Sequence, residues 1–349
     1  MKKVYFTQIN NLIADAIFLP LSVAYIWEYC KTQVTDWELG DIFFERESVE
    51  DYLKKIDNPD ILALSTYVWN WDITCQLARA VKKKYPNCKI VMGGPQVPFK
   101  QSWLEDNPDL CDIIVTYAGE RAFAEILKGN YTYPGVMTKE SYTPPKPDRE
   151  LNDIPSPYLS GLMDSLMQPG KQYSAIIETN RGCPYSCSFC DQQDLYYNKI
   201  AMFDYDRVIG EIDWVVKNKI DFLYFGDSNV GMFNRDVDFI RHIAKRRNET
   251  GYPRQIDYST AKQQPKRIVE LGEILNKEAK IRRGVTIALQ SMNPKTLKAI
   301  KRINLANEKL EQIVSDYNTA GVDNYCELIV GLPEETLDAI KEYLIAIKG

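Results

Sequence analysis

The cysteine-rich segment at residues 181–192 (RGCPYSCSFCDQ) constrains this chain more than any other feature of it. Cys183, Cys187 and Cys190 follow a strand-like run at 174–179, with gaps of three and two residues between them. Three thiolates this close together on a short loop can wrap one face of a cubane iron–sulfur cluster, holding three irons and leaving the fourth without a protein ligand. A structural zinc site needs a fourth Cys or His nearby, and neither Asp191 nor the distant His242 is an attractive candidate.

His242 is the only histidine of the chain. Ser-His-Asp hydrolysis, Cys-His proteolysis and His-rich zinc hydrolysis all need that ring at the site. It lies within 236–247 (DVDFIRHIAKRR), which reads as a solvated helix with no second ligand one turn away. The balance of 43 basic and 48 acidic residues gives a net charge of -5, which offers no footprint for duplex nucleic acid. At 349 residues the chain is long enough for about two domains. Lys2 and Lys3 precede an apolar stretch, but Asp15 and Pro20 interrupt it and no small-residue cleavage pattern follows, so export is not expected. No run reaches the roughly 18 apolar residues that a membrane span requires. A cytoplasmic location follows, with the eight cysteines as thiols or metal ligands rather than disulfides.

Apolar runs bounded by turn residues recur through the first half at 4–9, 61–67, 89–92 and 113–117, and read as parallel strands. Between them lie amphipathic stretches such as 71–85 (WDITCQLARAVKKKY). This alternation implies a doubly wound α/β sheet, whose ligands bind outside the carboxyl ends of the strands. The segments leaving those ends are 65–71 (STYVWNW), 93–98 (GGPQVP) and 117–123 (YAGERAF). Taken singly, each reads as a turn or as core filling. Together, their paired glycines and aromatics favour a large flat ligand, while the lack of G-x-G-x-x-G after the first strand speaks against a dinucleotide. Prolines crowd the stretch to 170, so residues 136–170 are expected to form a stiff linker between domains at 1–135 and 171–349.

The cysteine spacing, with Phe189 before the last cysteine, resembles the signature of the radical S-adenosylmethionine (SAM) superfamily. The resemblance implies a partial (β/α) barrel of the TIM type. It also implies that Cys183, Cys187 and Cys190 hold a 4Fe-4S cluster whose open iron binds SAM. The later strand ends resemble the family's other SAM-contacting motifs in order. Segment 221–229 (DFLYFGDSN) supplies Gly226 and Asp227 near the SAM amino group, with Asn229 on the same face as Asp227; a plain capping turn is the alternative. After 256–262 (IDYSTAK), segment 284–291 (GVTIALQS) ends in Gln290 and Ser291, near the ribose and carboxylate. Arg302 is either a ligand of that carboxylate or simply a cation at a helix C-terminus. In 324–336 (NYCELIVGLPEET), Ile329 and Gly331 frame the adenine and Glu334 follows; Glu327 turns inward beside Ile329, and Cys326 turns outward. Cys326 is assigned to packing, with Cys30, Cys75, Cys88 and Cys111. The family barrel has six strands and this sequence stops after the fifth, so the sixth is expected from a longer chain or a second polypeptide.

The first half resembles the Rossmann-like cobalamin-binding domain of the cobalamin-dependent radical SAM subfamily. That likeness assigns Ser65, Tyr67, Trp69, Asn70, Gly93, Gly94, Pro95, Gln96, Gly119 and Glu120 to the corrinoid. The Asp-x-His-x-x-Gly motif is absent and no imidazole is at hand as lower ligand, which leaves Tyr67, Trp69 or Asn70 to cover that face. The implied chemistry is reductive cleavage of SAM to a 5'-deoxyadenosyl radical, with methyl transfer through cobalamin to an unactivated carbon of a small-molecule or peptide substrate. A flavodoxin or ferredoxin is the implied reductant. A non-methylating cobalamin-dependent cyclase or rearranging enzyme is one alternative, and a non-catalytic iron–sulfur and cobalamin-binding partner protein is another.

Overall fold

The computed structural model describes residues 1–348 except 14, 146, 148, 191–198, 262–263, 282–284 and 305–306. Asp191, Lys262 and Gly284, named in the segments above, lie outside the described residues. The chain divides into two compact units, Met1–Ala175 and Ile176–Gly349.

The first unit contains β1 (Lys2–Thr7), β2 (Leu12–Ile13), β3 (Ala16–Phe18), α1 (Leu21–Gln33), β4 (Trp37–Phe43), α2 (Val49–Lys55), β5 (Ile61–Ser65), α3 (Trp71–Lys84) and β6 (Lys89–Gly93). It continues through α4 (Gln101–Asp106), β7 (Ile113–Val115), α5 (Glu120–Leu127), β8 (Val136–Met137) and α6 (Leu162–Leu166) to the start of β9 (Gln172–Ile177). Its main sheet runs β4-β1-β5-β6-β7-β8, parallel except for β8. The inner strands are apolar on both faces because helices cover both, and Phe6, Leu62, Ile90 and Ile114 are wholly buried. In α3, Thr74, Cys75, Leu77, Ala78 and Val81 form the buried stripe, and Lys82, Lys83 and Lys84 sit at the negative end of the helix dipole. Chain order reverses between β1 and β5, so the switch-point crevice opens at the segment after Ser65.

One expectation changes here. The stretch at 136–170 is part of the first unit: β8 joins the sheet, and Leu151, Ile154, Tyr158 and Met163 are buried, so the prolines stiffen a packed strap. The strand expected at 4–9 is in place as β1, but its neighbour β4 carries no clean apolar run, because an edge strand needs burial on only part of its length. Cys30, Cys75, Cys88 and Cys111 are buried as expected for packing residues, and burial pushes the Cys88 and Cys111 thiols up to about 12.

The second unit takes up β9 and continues with β10 (Asn180–Arg181), β11 (Ala201–Met202), α7 (Tyr205–Lys217), β12 (Phe222–Val230), α8 (Asn234–Thr250), β13 (Gln255–Thr260) and α9 (Pro265–Glu273). After a π-helical turn come β14 (Val285–Gln290), α10 (Pro294–Ala299), α11 (Asn307–Ala320), β15 (Asn324–Leu328) and α12 (Leu337–Lys348). Strands β9, β12 and β13 lie side by side, and β14 pairs in parallel with β15. Between β13 and β14 no ladder forms among the described residues; the Thr260 hydroxyl donates to the Thr286 carbonyl at 2.9 Å instead. The arrangement is that of an open, partial (β/α) barrel. His242 lies on α8 as expected, hydrogen-bonded to Asp213 at 3.0 Å.

Candidate cofactor sites

The cysteine loop leaves the carboxyl end of β9. Its root is tied to β12 by Asp227, which is 3% exposed. The Thr179 amide (2.7 Å) and hydroxyl (2.5 Å) and the Asn180 amide (3.2 Å) and side-chain Nδ2 (3.0 Å) all donate to that carboxylate. Burial pushes Asp227 up to about 7, against the opposite pull of the Thr179 and Asn180 donors. The strand can supply this group because the β12–β13 register slips between Phe225 and Val230, which frees 226–229 from regular pairing. Further along, the Cys190 amide donates to the Cys187 carbonyl (3.0 Å), and the Ser188 amide to the Ile300 carbonyl at the end of α10 (3.0 Å).

Cys187 is 7% exposed, and Cys183 and Cys190 are half-buried. Asn229 Nδ2 donates to Cys183 Sγ at 3.2 Å, and Arg302 Nη1 to Cys187 Sγ at 3.9 Å. Among the described residues no group of three or more His, Cys, Asp or Glu side chains is gathered as a metal ion would gather it, so the three thiols share a loop without closing on one centre. What fits an iron–sulfur cluster is the donor chemistry. Soft sulfur ligands stand on one short segment, and two of them already receive hydrogen bonds of the kind that tune cluster sulfurs.

The other expected SAM-contacting residues fall into two groups. Asp227 and Asn229 on β12, Gln290 and Ser291 at the end of β14, and Arg302 after α10 are buried. Gln290 has φ +66°, where the β14–β15 register slips, and its carbonyl accepts from the Ile329 amide at 2.8 Å. Ser291 caps a turn, its hydroxyl accepting from the Asn293 amide (3.1 Å) and its carbonyl from Asn304 Nδ2 (2.8 Å). Gly226, Glu327 and Gly331 are exposed, and Phe189 and Ile329 are half-buried. Alternation does set Glu327 and Cys326 on opposite faces of β15, but their burial is the reverse of that expected: Glu327 is exposed and Cys326 half-buried, the carboxylate staying in water while the sulfur packs. Thr179, Asn180 and Asn304 hold the site together and were not singled out in the sequence; single polar residues at strand ends carry no periodic signal.

In the first unit the three strand-end segments make a rim. Tyr67 and Trp69 stack with centroids 4.4 Å apart and planes 9° from parallel, and Phe99 meets Tyr117 at 5.8 Å. Val68, Trp69 and Phe99 are exposed at 75%, 45% and 43%, an apolar rim at a switch point where a flat ligand can stack. Ser65, Gly93 and Gly94 are half-buried behind it, and Pro95 and Gln96 are exposed. Asn70 does not present its side chain to a ligand. It is wholly buried, donating to the Ile9 and Ser65 carbonyls (both 3.1 Å) and accepting from the Tyr67 amide (2.8 Å). Gly94, at φ +100°, brings its backbone against Thr66, where a Cβ would lie 2.5 Å from the Thr66 carbonyl. Its glycine thus serves loop-to-loop packing. Gly119 lets α5 approach Ile26 of α1, and Glu120 is buried at 4% exposure.

Residues 12–127 match the B12 binding domain and residues 177–346 the radical SAM superfamily. The chain thus carries both domains of the cobalamin-dependent radical SAM family. Such domains bring cobalamin, SAM and a 4Fe-4S cluster as cofactors. The chain is 33% identical to the cobalamin-dependent radical SAM methyltransferase TokK of Streptomyces tokunonensis, over 98% of the chain and 52% of that protein. It is also 33% identical to a 2-(S-pantetheinyl)-carbapenam-3-carboxylate methyltransferase of Streptantibioticus cattleyicolor, over 96% of the chain and 51% of that protein. The chain thus spans about half the length of the curated relatives it matches. Its fold is that of OxsB, a cobalamin-dependent SAM radical enzyme (TM-score 0.70, 17% identity, 99% of this chain and 51% of that one). It is also that of TsrM from Kitasatospora setae (TM-score 0.69, 16% identity, 100% and 70%). Among the described residues no helix is long and apolar enough to cross a membrane.

Proposed function

We propose that this cobalamin-dependent radical SAM enzyme is a methyltransferase that methylates an unactivated carbon of a small molecule. The observation that carries the reading is the 33% identity, sustained along nearly the whole chain, with two relatives named as methyltransferases. One of them is named for a pantetheinyl carbapenam carboxylate, which makes a small carboxylate-bearing metabolite the substrate class to test first. When bound, the cluster supplies one electron to SAM for radical generation, and cobalamin serves as methyl carrier.

The chain's own groups divide that work. Cys183, Cys187 and Cys190 hold the cluster, and Asp227, through Thr179 and Asn180, fixes where their loop begins. Gln290, Ser291, Ile329 and Gly331, with Phe189, Gly226 and Glu327, line the strand ends where SAM docks. The Tyr67–Trp69 stack and the turns at Gly93 to Gln96, Gly119 and Glu120 would receive the corrinoid and offer it flat aromatic surface. A low-potential one-electron donor such as a flavodoxin or ferredoxin, and a cytoplasmic setting, complete the reading.

The test is anaerobic reconstitution with iron, sulfide and hydroxocobalamin, followed by SAM, dithionite and candidate carboxylates, with the nucleosides separated by chromatography. Methyl transfer yields both S-adenosylhomocysteine and 5'-deoxyadenosine. Release of 5'-deoxyadenosine alone would favour a cyclase, a reading motivated by 26% identity, over 65% of the chain, to an anaerobic magnesium-protoporphyrin IX monomethyl ester cyclase of Rubrivivax gelatinosus. Cofactor binding with neither nucleoside product would make the chain a non-catalytic partner protein.

A further inference from the structure

Arg302 is a buried cation with no carboxylate partner among the described residues. Its residue exposure is 6%, and its three nitrogens go to Cys187 Sγ (Nη1, 3.9 Å), the Ala288 carbonyl (Nη2) and Asn304 Oδ1 (Nε, 2.8 Å). None of these partners is a carboxylate, and no Asp or Glu among the described residues pairs with it. A guanidinium cannot shed its proton, and a charge taken out of water needs an opposite charge to offset its lost hydration. The one partner that becomes anionic on taking up iron is Cys187, itself 7% exposed.

The same short segment sets both ends of the contact. The Ile300 carbonyl holds the cysteine loop through the Ser188 amide at 3.0 Å, and two residues later Arg302 reaches the neighbouring sulfur. Each of the three nitrogens already spends one N–H on the protein, which holds the head group against the cysteine loop and the end of β14.

We infer that Arg302 is the buried counter-charge of the iron–sulfur cluster, acting through Cys187 to ease its reduction, and not the ligand of the SAM carboxylate. Three thiolates already make the cluster anionic, and reduction adds one more negative charge. A fixed cation beside one sulfur therefore stabilises the reduced state more than the oxidised one. This inference rests on the cysteines holding a 4Fe-4S cluster and is independent of what the enzyme methylates.

The experiment uses the reconstituted protein with Arg302→Met and Arg302→Lys. Iron and sulfide are counted, the cluster is titrated with reductant under electron paramagnetic resonance (EPR) in the absence of SAM, and SAM affinity is then read from the change in the reduced signal. Expected for R302M is at least a tenfold drop in the reduced-to-oxidised ratio at fixed potential, about 59 mV for one electron, with SAM affinity held within about twofold. R302K, which keeps the charge, recovers most of that loss. An unchanged midpoint, with or without weakened SAM binding, would overturn the inference. Should R302M fail to hold iron, R302K decides: full iron content at the wild-type midpoint sustains the counter-charge, and loss of the cluster there as well reduces Arg302 to a structural fork. A wild-type protein that loads no cluster would instead sink the cysteine assignment itself.

Discussion

Replacing Asp227 by asparagine should flatten the pH dependence of folding. Burial raises the folded-state pKa of this carboxyl from 3.8 to about 7, while the unfolded chain keeps the ordinary value. Between those two values the native state holds a proton that the unfolded state has lost. The contribution of Asp227 to stability is therefore fully present below about pH 4 and is lost as pH rises through 7. One proton is worth about 1.4 kcal/mol per pH unit while it is held by the native state alone, so with half of it gone at pH 7 the wild-type apoprotein should lose about 2 kcal/mol from this group between pH 5 and 7. In D227N the side-chain oxygen can still accept from the Thr179 and Asn180 amides, but the new NH2 faces the Asn180 Nδ2 donor, at a cost of about 1–3 kcal/mol. The variant should thus be less stable than wild type at pH 5 and close to it at pH 8. Urea unfolding of the metal-free protein, followed by tryptophan fluorescence across that range, measures the difference. Parallel curves for the two proteins would show that Asp227 is ionised throughout and that its four donors, rather than burial, set its charge.

The corrinoid rim and the cluster loop offer three further checks. Trp69→Ala removes a half-exposed ring stacked on Tyr67, so it should cost less than about 1 kcal/mol of stability yet weaken hydroxocobalamin binding about tenfold in a spectral titration; unaltered affinity would remove Trp69 from the site. Gly94→Ala forces a Cβ into the Thr66 backbone at φ +100°, and should lower stability by about 2–4 kcal/mol and loosen corrinoid retention on gel filtration, an expectation defeated by a wild-type melting curve. Cys187→Ala should drop iron and sulfide to background after anaerobic reconstitution, and full cluster content would mean that the ligands were assigned wrongly.

The sequence alone carried the order of domains and the cysteine triad proposed to hold the cluster. Thiolates on a short loop act through covalent spacing along the chain, and spacing is what a sequence states directly. The doubly wound sheet was legible for the same kind of reason, since parallel strands covered on both faces must be apolar runs and the helices between them must be striped, as β5 and α3 are. What only the tertiary structure decided is which polar side chains are already spent. Asn70, Gly94 and Arg302 lie in segments that pointed to ligands, yet Asn70 satisfies three backbone groups, Gly94 makes room for Thr66, and Arg302 turns to a cysteine sulfur. Each also has a partner far away in sequence, Ile9 for Asn70, Thr66 for Gly94 and Cys187 for Arg302, and a hydrogen bond or close approach of that kind leaves no period and no spacing to read. Burial compels such groups to find partners, but only the folded chain determines which ones are within reach.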